Sequence, residues 1–116
     1  MNIESFREYC LSKEGVTEEF PFDNNTLVFK VAGKIFALAD VNDFTGINLK
    51  VDPEHGVELR EKYTSIQTAF HMNKKHWITV HMDGLAPDSL VRTLIDDSYD
   101  LVVQKLTKSQ KLTINS

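Results

Sequence analysis

The stretch from Leu27 to Ala39 constrains the fold more than any other part of the chain. Leu27-Val28-Phe29-Lys30-Val31 and Lys34-Ile35-Phe36-Ala37-Leu38-Ala39 are strand-forming runs separated only by Ala32-Gly33. Two intervening residues, one a glycine free to take a positive φ, specify a tight hairpin. A hairpin with an apolar side has to bury it, so the rest of the chain must supply more strands and a covering layer. With Val31 opposite Lys34, Phe29 is expected to face Phe36 and Leu27 to face Leu38 on one side of the sheet. The other side then carries Val28, Lys30, Ile35 and Ala37.

The flanking segments supply that layer. Ile3, Phe6 and Cys10 recur at helical spacing, which predicts a helix over about 3–13 that stops at Gly15. The residues from Glu18 to Asn25 read as a loop whose Phe20-Pro21-Phe22 pins it to the core. Ile47-Asn48-Leu49-Lys50-Val51 alternates as a third strand. Asp52-Pro53-Glu54 is a helix start, with a capping acid, proline at the first position and an acid in the first turn. That helix is expected to reach Tyr63 and to bury Val57 and Leu59 or Tyr63. Ile66, Thr68 and Phe70 predict a short fourth strand, and 76–82 a fifth with Ile78, Val80 and Met82 inward. Pro87-Asp88 opens the longest helix, with Leu90, Val91, Leu94, Ile95, Leu101, Val102 and Leu106 as its apolar stripe. Ser98-Tyr99 could hydrogen-bond from this helix to the sheet. The polar end of the chain, from Lys108 to Ser116, reads as frayed.

The fold class that follows is α+β: a two-layer sandwich of order α-β(3)-α-β(2)-α, with an antiparallel five-stranded sheet and helices on one face. One domain spans 1–116, with an ordered core over 1–111 and a tail over 112–116. The open sheet face is where function should be sought.

Few kinds of catalytic chemistry fit these residues. Cys10 is the only cysteine, so no internal disulfide or cysteine-based zinc site forms, and it lies on an apolar helix stripe where thiols are inert. His76 and His81 point to opposite faces of a regular strand, which argues against a metal. Adjacent Asp96 and Asp97 diverge on a helix and read as solvating charges. Gly33 is a lone hairpin glycine, not a phosphate loop. The expectation is a non-enzymatic protein with no cofactor and no metal. Met1-Asn2-Ile3-Glu4-Ser5 is too polar for a signal peptide and no apolar run could span a bilayer, so a cytoplasmic protein without membrane contact is expected.

Charge is distributed unevenly. The net charge is −4, yet the outward strand positions carry Lys30, Lys50, Trp77, Thr79 and His81, adjoined by a turn holding His71, Asn73, Lys74 and Lys75. Lysines favour phosphates, and an exposed indole can stack on a base. Two plainer accounts also fit: Trp77 packs over the sheet or under a loop, and the lysines are solvated edge charges that block strand pairing.

Four strings carry a resemblance. Phe20-Pro21-Phe22-Asp23, the hairpin from Thr26 to Leu38, His71-Met72-Asn73-Lys74-Lys75-His76-Trp77 and the run from Asp97 to Val103 occur in the order seen in the MmcQ/YjbR family. The third string is the most specific, and the likeness extends to about Lys111. It implies a CyaY-like fold and a DNA-binding role through Lys30, Lys34, Lys50, Asn73, Lys74, Lys75 and Trp77; with only a few phosphate contacts, a single module is expected to bind DNA weakly and in a salt-sensitive way. The alternative is a protein-interaction or chaperone-like module, homodimeric through an apolar patch of Val28, Ile35 and Trp77.

Overall fold

The computed structural model describes residues 1–69 and 72–114. Its elements are α1 (Ile3–Leu11), β1 (Val16–Glu19), β2 (Thr26–Val31), β3 (Lys34–Asp40), β4 (Gly46–Lys50), α2 (Pro53–Lys62), β5 (Ile66–Thr68), β6 (Trp77–His81), α3 (Asp88–Gln104) and α4 (Lys108–Ile114). One antiparallel sheet runs β1-β2-β3-β4-β6-β5. The α+β class and the antiparallel sheet stand as expected, but the described strands number six rather than five and the helices four rather than three. Phe70, the end of the expected fourth strand, and His71 lie outside the described residues.

Glu18 and Glu19, expected in a loop, instead end the strand β1. Acids are depleted in strands, and Val16–Glu19 holds two of its four residues as glutamate. Both are countered in the fold. Arg7 on α1 donates to Glu18 (Nε to Oε2, 2.7 Å), and Lys30 on the neighbouring strand pairs with Glu19. The expected frayed end contains α4. Thr107 and Gln110 cap it reciprocally, the Gln110 amide donating to Thr107 Oγ1 (3.1 Å) and the Thr107 amide to Gln110 Oε1 (2.9 Å). Ile114 then packs against the backbone of Gly15, where a Cβ would stand 3.3 Å from it.

The hairpin forms with a different register. Val31 opposes Lys34 and Lys30 opposes Ile35, but Phe29 faces Ala37, Val28 faces Leu38 and Leu27 faces Ala39. Phe36 is therefore an extra residue, a β-bulge. Ala37 moves to the helix-covered face and Leu38 to the open face, the reverse of expectation. Both Ala32 and Gly33 at the tip have positive φ, 49° and 79°, as a two-residue hairpin of this twist requires.

The core lies between the sheet and α1 and α3. Phe6 meets Phe29 edge-on at 5.4 Å, and Phe36 meets Tyr99 at 5.4 Å. Ile47, Leu49, Ile78 and Val80 point into it from β4 and β6, as their alternation predicts. The α2 start also matches, with Asp52 accepting from the His55 amide and Pro53 at the first position. Val57, however, is 45% exposed, and Gly56 and Leu59 are the buried residues of that helix.

Ser98 fastens α3 to the sheet where the bulge interrupts pairing. Its hydroxyl donates to the Phe36 carbonyl (2.5 Å) and accepts from the Lys50 amide (2.8 Å). A fully buried side chain thus replaces the ladder that β3 and β4 cannot continue past Ala37 and Leu49. Its neighbour Tyr99 donates instead to the Glu14 carbonyl at 2.6 Å. Asp96 is not merely a solvating charge. It accepts from the Tyr9 hydroxyl (2.7 Å) and from Lys13 (2.5 Å), whose ammonium lies over the Tyr9 and Tyr99 rings.

Candidate nucleic-acid interface

Antiparallel pairing gathers the basic candidates at one end of the sheet. Lys50, the last residue of β4, is opposite Trp77, the first of β6. The hairpin tip brings Lys34 to the same end of the adjoining strand β3. The turn carrying Lys74 and Lys75 leads directly into Trp77. Asn73 shapes that turn: its Oδ1 accepts from the amides of Lys75 (2.9 Å) and His76 (3.3 Å), and its carbonyl from the amide of Trp77 (3.0 Å). Both lysines are left exposed, and Trp77 is half-buried.

The charge of this end is only partly compensated. Burial, and then the charges of Lys105 and Lys34, lower the pKa of Lys50. That mutual repulsion places Lys105, at the C-terminus of α3, in the same cluster. Among the described residues Lys34, Lys50, Lys74, Lys75 and Lys105 form no ion pair, whereas Lys30 is committed to Glu19. Sequence reading missed Lys105 because a helix-terminal cation has no strand parity to mark it. It overvalued Lys30 because the strand holding its partner was not foreseen.

His81 stands apart. It lies at the far end of β6, opposite Gly46, with Nε2 3.2 Å from Gln67 Oε1. His71 falls outside the described residues. Among those described, no three His, Cys, Asp or Glu side chains could hold a metal together. Cys10 is fully buried, and burial pushes its thiol up to about 12. No described helix is long and apolar enough to cross a membrane.

The opposite end of the open face is acidic and hollow. Asp40 ends β3, Asp23 precedes β2, and Asp43 lies in the turn to β4. They edge a concavity of about 530 Å³ with Leu38, Asn48 and Thr79 among its lining residues. The sequence signal for Asn48 and Thr79 was their outward parity. Leu38 was hidden by the bulge, and the acids by their place in loops and at a strand end.

Comparison with known proteins agrees with this fold. The chain is 32% identical over 112 residues to the uncharacterized protein YjbR of Escherichia coli (strain K12), covering 96% of this chain and 95% of that protein. It is 43% identical over 90 residues to the uncharacterized protein YbdF of Escherichia coli O157:H7, covering 77% and 74%. The crystal structure of Deinococcus radiodurans protein DR2400, a DUF419 domain, superposes with a TM-score of 0.92 at 40% identity, over 98% of this chain and 88% of that one. The family description YjbR matches residues 11–101, so this chain belongs to the YjbR family.

Proposed function

We propose that this protein is a non-enzymatic nucleic-acid-binding module that holds the phosphate backbone at the basic end of its sheet. One observation carries the reading: Lys50 stands opposite Trp77, the turn with Lys74 and Lys75 leads into it, Lys34 and Lys105 lie near enough to act on Lys50, and none of the five forms an ion pair among the described residues. Phosphate oxygens would relieve the lysine–lysine repulsion that adds to burial in lowering the Lys50 pKa, and the indole offers a stacking surface beside them. The alternative, a protein partner docked through Val28, Ile35 and Trp77, has less to work with. Val28 is 0% exposed, flanked on the open face by Glu19 opposite and Lys30 two residues on.

Three or four phosphate contacts set the scale. A salt slope of about −0.9 per contact gives a roughly 40- to 150-fold loss of affinity between 50 and 200 mM salt. The test is fluorescence anisotropy of labelled duplex and single-stranded DNA at both salt levels, with Lys74→Ala/Lys75→Ala as the variant. The double variant is expected to weaken binding and to flatten the slope by about 2. Unchanged affinity in the variant, or no binding of wild type at low salt, would overturn the proposal.

A further inference from the structure

We propose that the hollow at the acidic end of the open face binds a small organic cation, a primary amine carried on an apolar body. Its volume, about 530 Å³, lies within the range of small-molecule sites. Leu38, Asn48 and Thr79 stand in one row across β3, β4 and β6 and form its floor. In the next row Gly46 lies opposite His81. The lack of a side chain at 46 keeps that row open, since a Cβ there would come within 3.1 Å of the Thr79 methyl. The Thr79 hydroxyl is turned to Asn48 Oδ1 (2.5 Å), so the threonine offers mainly its methyl to an occupant. Phe22, 69% exposed, and Met72 add apolar surface from two loops.

Charge selects the occupant. Among the described residues Asp23, Asp40 and Asp43 edge the hollow, no lysine or arginine lines it, and His81 is the one basic side chain that does. Asp23 is held ionised by the amides of Thr26 (2.6 Å) and Asn25 (2.8 Å) on Oδ1, which lower its pKa. Asp40 likewise accepts the amides of Asn42 and Asp43 on Oδ1, leaving Oδ2 for a ligand. A carboxylate or phosphate ligand would be repelled here, and an uncharged one would ignore the three acids. An ammonium on an aryl or alkyl body satisfies both the floor and the edge. The lysine cluster is at the other end of the strands, so this site stands or falls independently of nucleic-acid binding.

The experiment titrates 15N-labelled protein with 2-phenylethylamine, 2-phenylethanol and 3-phenylpropionate, following amide shifts. The amine is expected to bind most tightly and to move Gly46, Asn48 and Thr79 while leaving Lys74 and Lys75 in place. Asp23→Asn/Asp40→Asn/Asp43→Asn keeps the amide-accepting oxygens but removes the charges. It is expected to weaken the amine about tenfold and to leave the alcohol unchanged. Asp43→Asn alone, whose carboxylate caps no backbone amide, gives the same direction if the triple variant does not fold. The proposal is overturned if the amine moves none of the floor residues, if alcohol or carboxylate binds as tightly, or if Asp43→Asn and every folded charge variant leave the amine affinity unchanged.

Discussion

Ser98→Ala removes one oxygen atom and tests how the sheet is held in register. Two backbone groups lose their partner, the Phe36 carbonyl and the Lys50 amide, which the hydroxyl holds at 2.5 and 2.8 Å. An unsatisfied buried group costs about 1–3 kcal/mol. The Phe36 carbonyl belongs to a fully buried residue and bears the larger share, whereas Lys50 is half-buried and water can reach it more readily. Alanine's better helix propensity returns about 0.5 kcal/mol. The net loss is about 1.5–3 kcal/mol, a large part of the roughly 5–15 kcal/mol that stabilises a domain of this kind. Urea unfolding followed by Trp77 fluorescence, with an m-value of about 1.5 kcal/mol/M, should show a midpoint lowered by roughly 1–2 M. Ser89→Ala, exposed on the same helix, should shift stability by no more than about 0.5 kcal/mol. Hydrogen exchange supplies the specific readout, because the Lys50 amide should lose protection in Ser98→Ala and not in Ser89→Ala. A midpoint within about 0.3 M of wild type, or an equally protected Lys50 amide, would refute the account of Ser98 as the splice across the bulge.

Two further perturbations probe the hairpin and the α1–α3 contact. Ala32 occupies the left-handed region at φ 49°, which strains alanine more than asparagine. Ala32→Asn should therefore stabilise the protein by roughly 0.5–1 kcal/mol in the same urea assay, and a loss of stability would count against the turn geometry. Burial tends to raise the Asp96 pKa, but hydrogen bonds from Lys13 and Tyr9 and the Lys13 charge outweigh it and leave it lowered. A depressed carboxylate contributes stability above its unfolded value of about 3.9, lost as pH falls through the lower folded value. Asp96 is 43% exposed, so solvent screening keeps the contribution under about 1 kcal/mol. Lys13→Met should be less stable than wild type at pH 7, with the gap narrowing as pH drops from 5 to 2. A gap independent of pH would show that the lysine acts by packing alone.

Much of the fold was legible because periodicity and capping are local. The alternations around Ile47–Lys50 and Ile78–Val80, and the Asp52-Pro53 start, all needed only neighbouring residues to be read. The bulge did not lie within that reach. Ala37 and Leu38 are both apolar, so exchanging their faces leaves the hydrophobic pattern almost unchanged. What settles the register is Ser98, 62 residues from Phe36 in the chain. β1 was equally hidden, since its glutamates become tolerable only beside Arg7 and Lys30. α4 did carry a local signal, the spacing of Thr107 and Gln110, in a segment whose polarity suggested fraying.

The same pairing explains how a chain of net charge −4 offers a basic surface. Antiparallel strands turn residues distant in sequence into neighbours at one end: the start of β3, the end of β4 and the start of β6 bring lysines and Trp77 together. The complementary ends bring Asp40 beside Thr26 and Gly46 beside His81. Four residue steps along β6 separate Trp77 from His81, roughly 13 Å at strand rise. The Debye length is about 8 Å at physiological ionic strength, so each end presents its own field to an approaching charge. At about 10 mM salt it lengthens to roughly 30 Å, and the acids then offset part of the attraction at the lysine end. Local charge rather than the total therefore governs what this face attracts, and the acidic total argues against a polyanion wrapping the molecule without arguing against one held at the lysine end.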